Sequence, residues 1–341
     1  MQYNKKISVI IAAYNSEQFI EETLQSVFMQ DYDNFELILV DDGSKDDTLK
    51  VATEAVEKYN KKDVCIKIIH TENHGVAAAR NLGLENATGE WVIFFDSDDV
   101  MTTDFLSKLA SRTYDNVDMV AGNALKMDEL GNPIGMMEQE YSGLYETMNN
   151  QKNLIDMADV SAITGVKMYR KELLDKYNIR IIQVLAEDVA MFLEALYFSR
   201  AVYIENEAIM KYRIMAGSMS KNVTEKELSV ISMFDEVEKF LAPYDINRAF
   251  PYAFYNMKVK VCRIYGLHFT GTKNKKLRKE IFVRFADEMI KTKEQHSEYL
   301  SSQRLEDVKR IEKKKKQKYL YLSRLYLMYH HHKWRNNKEV L

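Results

Sequence analysis

Cysteine and proline are scarce in this chain of 341 residues, which holds two Cys, three Pro and twelve Gly. Cys65 and Cys262 lie far apart and neither sits in a C-x-x-C pair, so a disulfide framework and a zinc module are both excluded. A reducing, cytosolic compartment is the expectation. Few Gly and Pro, with 46% hydrophobic and 29% charged residues, exclude collagen-like, low-complexity and broadly disordered chains. No stretch reaches the ~20 apolar residues of a membrane-spanning helix. The apolar stretch from Ile7 to Ala13 is shorter than a signal-peptide core and no cleavage pattern follows it, so export is not expected.

Charge is unevenly spread. The net charge is −3, yet residues 309–341 carry eleven Lys or Arg against two Glu, which leaves the body of the chain acidic. An acidic body argues against a nucleic-acid surface and makes the tail the candidate for an anionic partner. Lys313 to Lys316 followed by YLYLSRLYLMYHHHKWR combines the ingredients of an interfacial helix on anionic lipid. The same segment also suits a helix end packed on its neighbours, or a subunit contact in a homo-oligomer.

The first hundred residues alternate short apolar runs with stretches of helical spacing. Ile7 to Ala12, Phe35 to Val40, Val64 to Ile69 and Trp91 to Phe95 read as buried parallel strands, because near-continuous hydrophobicity is what a strand covered on both faces requires. Between them, Glu17 to Met29, Lys45 to Lys58 and Val76 to Glu85 place apolar residues on one helical face. The pattern predicts an open α/β sheet. An irregular stretch follows, with turn signals at Gly122-Asn123 and Gly131-Asn132-Pro133 and a last β-like piece around Val202 to Ile204. Segments 225–242, 249–268, 275–300 and 303–329 predict a helical C-terminal region, with a boundary near residue 222.

Polar residues follow the strands. Ala13-Tyr14-Asn15-Ser16-Glu17, Asp41-Asp42-Gly43-Ser44 and Asp96-Ser97-Asp98-Asp99 all sit where ligands bind in open α/β sheets, outside the carboxyl ends of the strands. Asp96 and Asp98 are two residues apart, so in extended backbone they face one side and suit a shared Mg²⁺ or Mn²⁺ that presents a nucleoside diphosphate. Asp99 is a third candidate ligand. The alternative for Asp98 or Asp99 is a cap on the helical pattern near Asp104. Gly75 opens a helix whose Ala77, Ala78 and Ala79 allow close approach. Arg80 on that helix suits either a phosphate or base contact or a structural ion pair.

Taken together, VIIAAYNSE (9–17), VDDGSKDDT (40–48), NHGVAAARNLGLENATGEWVIFFDSDD (73–99) and LAEDVAMFLEAL (185–196) resemble the inverting family 2 of glycosyltransferases, of bacterial surface-polysaccharide type. The resemblance covers residues 5 to 222 and implies the GT-A fold, a Rossmann-like nucleotide-diphospho-sugar transferase domain. It implies a donor-binding half at 1–100 and an acceptor half at 101–222, followed by the helical region at 223–341. By resemblance, Ala13, Tyr14, Asn15, Glu17 and Asp42 hold the nucleotide, with Asp42 at the base, and Arg80 is the donor-binding arginine. Asp96, Ser97 and Asp98 take the D-x-D position that binds ribose and metal, and Asp99 a further acidic place. Glu187 and Asp188 match an E-D pair whose Asp is the catalytic base, with Glu187 on the acceptor side. Asp188 opens an amphipathic pattern, which fits the first turn of a helix. A following Y-R-x-H-x-x-S-x-S pattern is matched by Tyr212 to Ser220, with Arg213 and Ser218 as diphosphate contacts and Met215 at the His position, where a thioether is a poor ligand for a hard cation.

The resemblance thus implies a metal-dependent, inverting transfer from a nucleotide-sugar, a UDP-sugar first, to a hydroxyl of a glycan or lipid-linked glycan. The enzyme would be cytoplasmic, with peripheral contact at the inner face of the membrane. A nucleotidyltransferase is the lesser alternative, because its usual Gly-rich phosphate loop is replaced here by AAYNSE. A non-catalytic glycan-binding relative is opposed by Asp96, Asp98 and Asp188 and favoured by Met215.

Overall fold

The computed structural model describes residues 4–60, 64–137, 140–215, 228–268 and 274–316. The boundary expected at 222, Ser218 and the tail beyond 316 lie outside the described residues. The strands are β1 (Ile7–Ala13), β2 (Phe35–Asp41), β3 (Cys65–His70), β4 (Trp91–Asp96), β5 (Val100–Met101), β6 (Met119–Met127), β7 (Pro133–Met136), β8 (Gly143–Glu146), β9 (Lys167–Arg170) and β10 (Ala201–Arg213). The helices are α1 (Ile20–Phe28), α2 (Thr48–Tyr59), α3 (Val76–Glu85), α4 (Phe105–Ala110), α5 (Gln151–Met157), α6 (Lys171–Lys176), α7 (Glu187–Phe198), α8 (Ser229–Leu241), α9 (Phe250–His268), α10 (Lys275–His296) and α11 (Ser302–Lys316).

The strands form one mixed sheet in the order β3-β2-β1-β4-β9-β6-β10-β5, with β7 on β6 and β8 on β10. The first four are parallel, as expected. Both faces are covered. Ile7, Val9 and Ile11 point to a core shared with α1, α2 and α4, while Ile10, Ile38 and Phe94 point to a second core with α3 and α7. That second core continues through Phe234, Phe254, Phe285 and Val308 of the C-terminal helices. Gly83 lets α3 sit directly on β1, because a Cβ there would collide with the buried Ile10 side chain.

Three expectations need correction. β3 is the edge strand and only half buried, with Cys65 exposed, so its apolar run does not mark a strand covered on both faces. Gly122-Asn123 is no turn: Gly122 lies inside β6, where a Cβ would stand 2.5 Å from the Ala208 carbonyl of β10, at an irregularity in their pairing. The β-like piece at Val202 to Ile204 is the start of the thirteen-residue β10, whose polar middle hides its length. Among the described residues no helix is long and apolar enough to cross a membrane.

Buried Glu36 of β2 is held by its network. Ser8 Oγ and the Thr88 N–H donate to one oxygen at 2.6 Å each, and Thr88 Oγ1 and Lys6 Nζ reach the other at 2.8 and 3.0 Å. Burial pushes its pKa up, but the hydrogen bonds from Ser8, Thr88 and Lys6 outweigh burial and hold it near 2. A depressed folded-state pKa gives stability that is present above the unfolded value and lost as pH falls through the folded one. Urea denaturation should therefore show stability declining from about pH 4.5 to about 2. In Glu36→Gln that slope should be shallower.

Candidate active site

Register brings the polar segments together. Ala13 at the end of β1 pairs with Asp41 of β2, and Ala12 pairs with Asp96 of β4, so the segments following these strands emerge side by side at one sheet edge. Side chains stitch these segments together. Asn15, with φ +50°, accepts the Lys45 N–H at 2.8 Å, Glu17 accepts that of Asp47 at 2.9 Å, and Ser16 Oγ lies 2.7 Å from Ser97 Oγ. Ala13 is buried, whereas Tyr14 is exposed beside them. Thr23 of α1, which no motif singled out, donates to the Ser97 and Asp99 carbonyls at 2.9 Å and so holds the acidic turn.

Several expected site residues are occupied. Both carboxylate oxygens of buried Asp42 accept backbone N–H groups, from His74 at 2.8 Å and Gly75 at 2.9 Å, so Asp42 fixes the approach to α3. Arg80 is buried and bridges two carboxylates: Nη2 donates to Asp96 at 2.5 Å and Nη1 to Glu187 at 3.0 Å, while Nε has no partner. The ion-pair alternative for Arg80 is thus realised within the expected site. It also brings Glu187 and Asp188, distant in sequence, to Asp96.

Asp96, Asp98 and Asp99 do not form a ready three-ligand cluster; among the described residues no three His, Cys, Asp or Glu do. Asp99 turns inward, accepting the Arg213 N–H at 2.8 Å, and its other oxygen is buried without a partner. α4 starts at Phe105 behind Asp104, so neither Asp98 nor Asp99 caps it. Burial and then the Asp96 charge push Asp98 up to about 6, and burial with Asp96 and Asp98 raises Asp99 well above the carboxylate range. Arg213 is not presented to a phosphate. Its guanidinium donates to Glu22 at 2.6 Å and to the Asp98 and Glu129 carbonyls at 2.8 and 3.0 Å, over the Phe19 ring. It latches β10 to the acidic turn.

Asp188 stands at the first turn of α7, after Ala186 in a left-handed conformation (φ +64°). Burial raises its pKa to about 6, the neighbouring Glu187 charge adds to this, and Lys167 and Arg80 oppose it. Lys167 of β9 is fully buried. Its Nζ donates to the Ser161 and Ile163 carbonyls and lies 4.9 Å from the Phe192 ring, one helical turn below Asp188. Burial brings this lysine down to about 7, against the pull of Asp188. Tyr169, two residues on, has a buried hydroxyl without a partner, and burial and then the Asp188 charge raise its pKa. Neither residue carries a motif; only the packing of β9 under α7 places them here.

The model described as Glycosyl transferase family 2 matches residues 8–177. Glycosyltransferase GlyA of Streptococcus pneumoniae is 30% identical over 66% of this chain, which spans only 33% of GlyA. The putative glycosyltransferase EpsH of Bacillus subtilis is 30% identical over 72% of this chain and 68% of its own length. Among solved structures, S. aureus TarS 1–349 in complex with UDP-GlcNAc superposes with a TM-score of 0.70 at 21% identity, over 92% of each chain. The mannosyltransferase PcManGT of Pyrobaculum calidifontis, in complex with GDP-Man and Mn²⁺, does so at 0.54 and 17%, over 84% of this chain and 87% of its own. At these identities the structures speak for the fold.

Proposed function

The chain belongs to glycosyltransferase family 2 and has its GT-A fold, and from that premise we propose that it transfers a sugar, with inversion, from a UDP-sugar to a hydroxyl of a glycan or lipid-linked glycan in surface-polysaccharide assembly. The observation that carries the proposal is the Arg80 bridge, which sets the Asp96-Ser97-Asp98 turn beside the Glu187-Asp188 pair. TarS binding UDP-GlcNAc supports the choice of nucleotide. Residues 1–222 form the catalytic domain in this account. The basic tail at 309–341 is assigned to an anionic membrane surface or a second subunit.

Tyr14, Asn15 and Glu17 line the nucleoside end, on a loop that Asp42 and Ser44 brace from behind, and Asp96 and Ser97 meet the ribose. Arg80 supplies positive charge to the diphosphate. The carboxylates fit a hard divalent ion: they are oxygen donors, burial and the neighbouring carboxylates raise the pKa of Asp98 and Asp99, and Asp99 keeps one buried oxygen unpaired. Asp98 and Asp96 would hold Mn²⁺ or Mg²⁺, which when bound offsets the charge growing on the departing nucleoside diphosphate. Asp188 takes the proton of the acceptor hydroxyl as the new C–O bond forms and the sugar–phosphate bond breaks. Lys167, fixed below, opposes the rise in its pKa.

The test is transfer from a panel of nucleotide-sugars followed by NMR of the product anomer. Consumption of a UDP-sugar with an inverted product is expected. A retained configuration overturns the single displacement, and donor binding without turnover on any acceptor favours a glycan-binding relative.

A further inference from the structure

Asn81 follows Arg80 on α3, and its side chain pairs with both backbone polar groups of one residue in a distant segment. Its Nδ2 donates to the Ile181 carbonyl at 2.8 Å and its Oδ1 accepts the Ile181 N–H at 2.9 Å. From Ile181 the chain runs to Glu187, where Arg80 makes its 3.0 Å contact. Two consecutive residues of one helix therefore grip both ends of the segment that delivers Asp188. The segment has little structure of its own. It holds one internal bond, from the Val184 N–H to the Ile182 carbonyl at 2.9 Å, and includes Ala186 at φ +64°. A left-handed alanine persists only where its surroundings over-determine it. Gln183 meanwhile packs against Gly75 at the start of α3, in space that a Cβ there would fill. α3 is thus both the wall of the donor site, through Arg80, and the anchor of the segment before α7.

We propose that Asn81 is a positioning residue for the transfer: by pinning Ile181 it sets where the first turn of α7 stands relative to the donor, and so the reach of Asp188. The inference rests on Asp188 as base. The residue type is demanding, because a primary amide offers a donor and an acceptor matched to the N–H and C=O of one residue. Aspartate lacks the donor, serine supplies one short hydroxyl, and glutamine is longer by a methylene. Displacement of a catalytic group by about 1 Å is enough to cost ~10²-fold in rate.

The experiment compares Asn81→Ala, Asn81→Asp and Asn81→Ser with the unaltered chain. It measures kcat and KM for transfer, donor affinity and binding stoichiometry by calorimetry, and the ratio of sugar transfer to donor hydrolysis. Stoichiometry counts folded sites, so a poorly folding variant is corrected for, and the serine form supplies a milder change. For Asn81→Ala we expect kcat lower by ~10- to 100-fold, donor affinity within about twofold, and a transfer-to-hydrolysis ratio lower by about tenfold. The aspartate and serine forms should fall between. A fall in kcat that matches the loss of folded sites, with an unchanged ratio, overturns the proposal. Asp188→Asn keeps the two failures apart. If that variant transfers at the normal rate, the base assignment is wrong; if it is inactive while Asn81→Ala keeps kcat and ratio per folded site, only the role of Asn81 is wrong.

Discussion

Asp188→Asn is expected to lower kcat for transfer by ~10²- to 10⁴-fold, the usual contribution of a positioned general base, while nucleotide-sugar affinity stays within about twofold. The amide keeps the shape of the carboxyl and loses its charge, and with it the capacity to take a proton. Asp188 lies on α7, outside the edge of β1, β2 and β4 proposed for the donor, so donor affinity is expected to hold. The raised pKa adds a pH signature. A base works when ionised, so kcat/KM should climb with pH through about 6, the value to which burial and Glu187 bring this carboxyl. The variant should lose that limb. Equal losses of affinity and rate would instead mark Asp188 as part of the donor site.

Arg80→Met should have the other large effect, and on two quantities at once. Arg80 is buried between Asp96 and Glu187, with Asp188 adding to the field that raises its pKa against the cost of burial. Removing one partner of a buried pair costs about 3–5 kcal/mol; because Asp96 is a third exposed, about 2–3 kcal/mol is expected in urea denaturation. Donor affinity should fall ~10- to 100-fold, since hydrogen bonds between charged groups are each worth about 1.5–3 kcal/mol. Arg80→Lys separates the two. A lysine restores the charge and much of the stability, but not a fork that spans two acceptors, so affinity should recover less. Normal donor affinity in Arg80→Met would remove this residue from the donor site and leave it a purely structural bridge.

The parts of the molecule legible in sequence are those where one local pattern decides the outcome. β1, β2 and β4 declare themselves because a strand covered on both faces has to be almost continuously apolar, and their polar successors share an edge because the strands are parallel and in register. The second half obeys no such pattern. β6 carries Gly122 for close approach to β10, and glycine followed by asparagine looks like a turn until the partner strand is known. Side-chain partners were less legible still. Asp42 and Arg213 have the right composition for ligand contacts, and only the structure shows that the first also holds the His74 and Gly75 N–H groups and the second Glu22 with two carbonyls. Lys167 and Tyr169 lie under Asp188 because β9 runs antiparallel to β4 beneath α7, a relation no spacing in the sequence encodes. The Asp188 position was legible through its motif. Its electrostatic surroundings depended on tertiary packing.

The most direct measurement is calorimetric titration of the intact chain with UDP-, GDP-, CDP- and TDP-sugars, in Mn²⁺, Mg²⁺ or chelator, repeated on Asp98→Ala. The account predicts metal-dependent binding of a UDP-sugar at one site per chain, lost in chelator and in Asp98→Ala. Binding of no nucleotide-sugar, or binding indifferent to both chelator and Asp98, would contradict it.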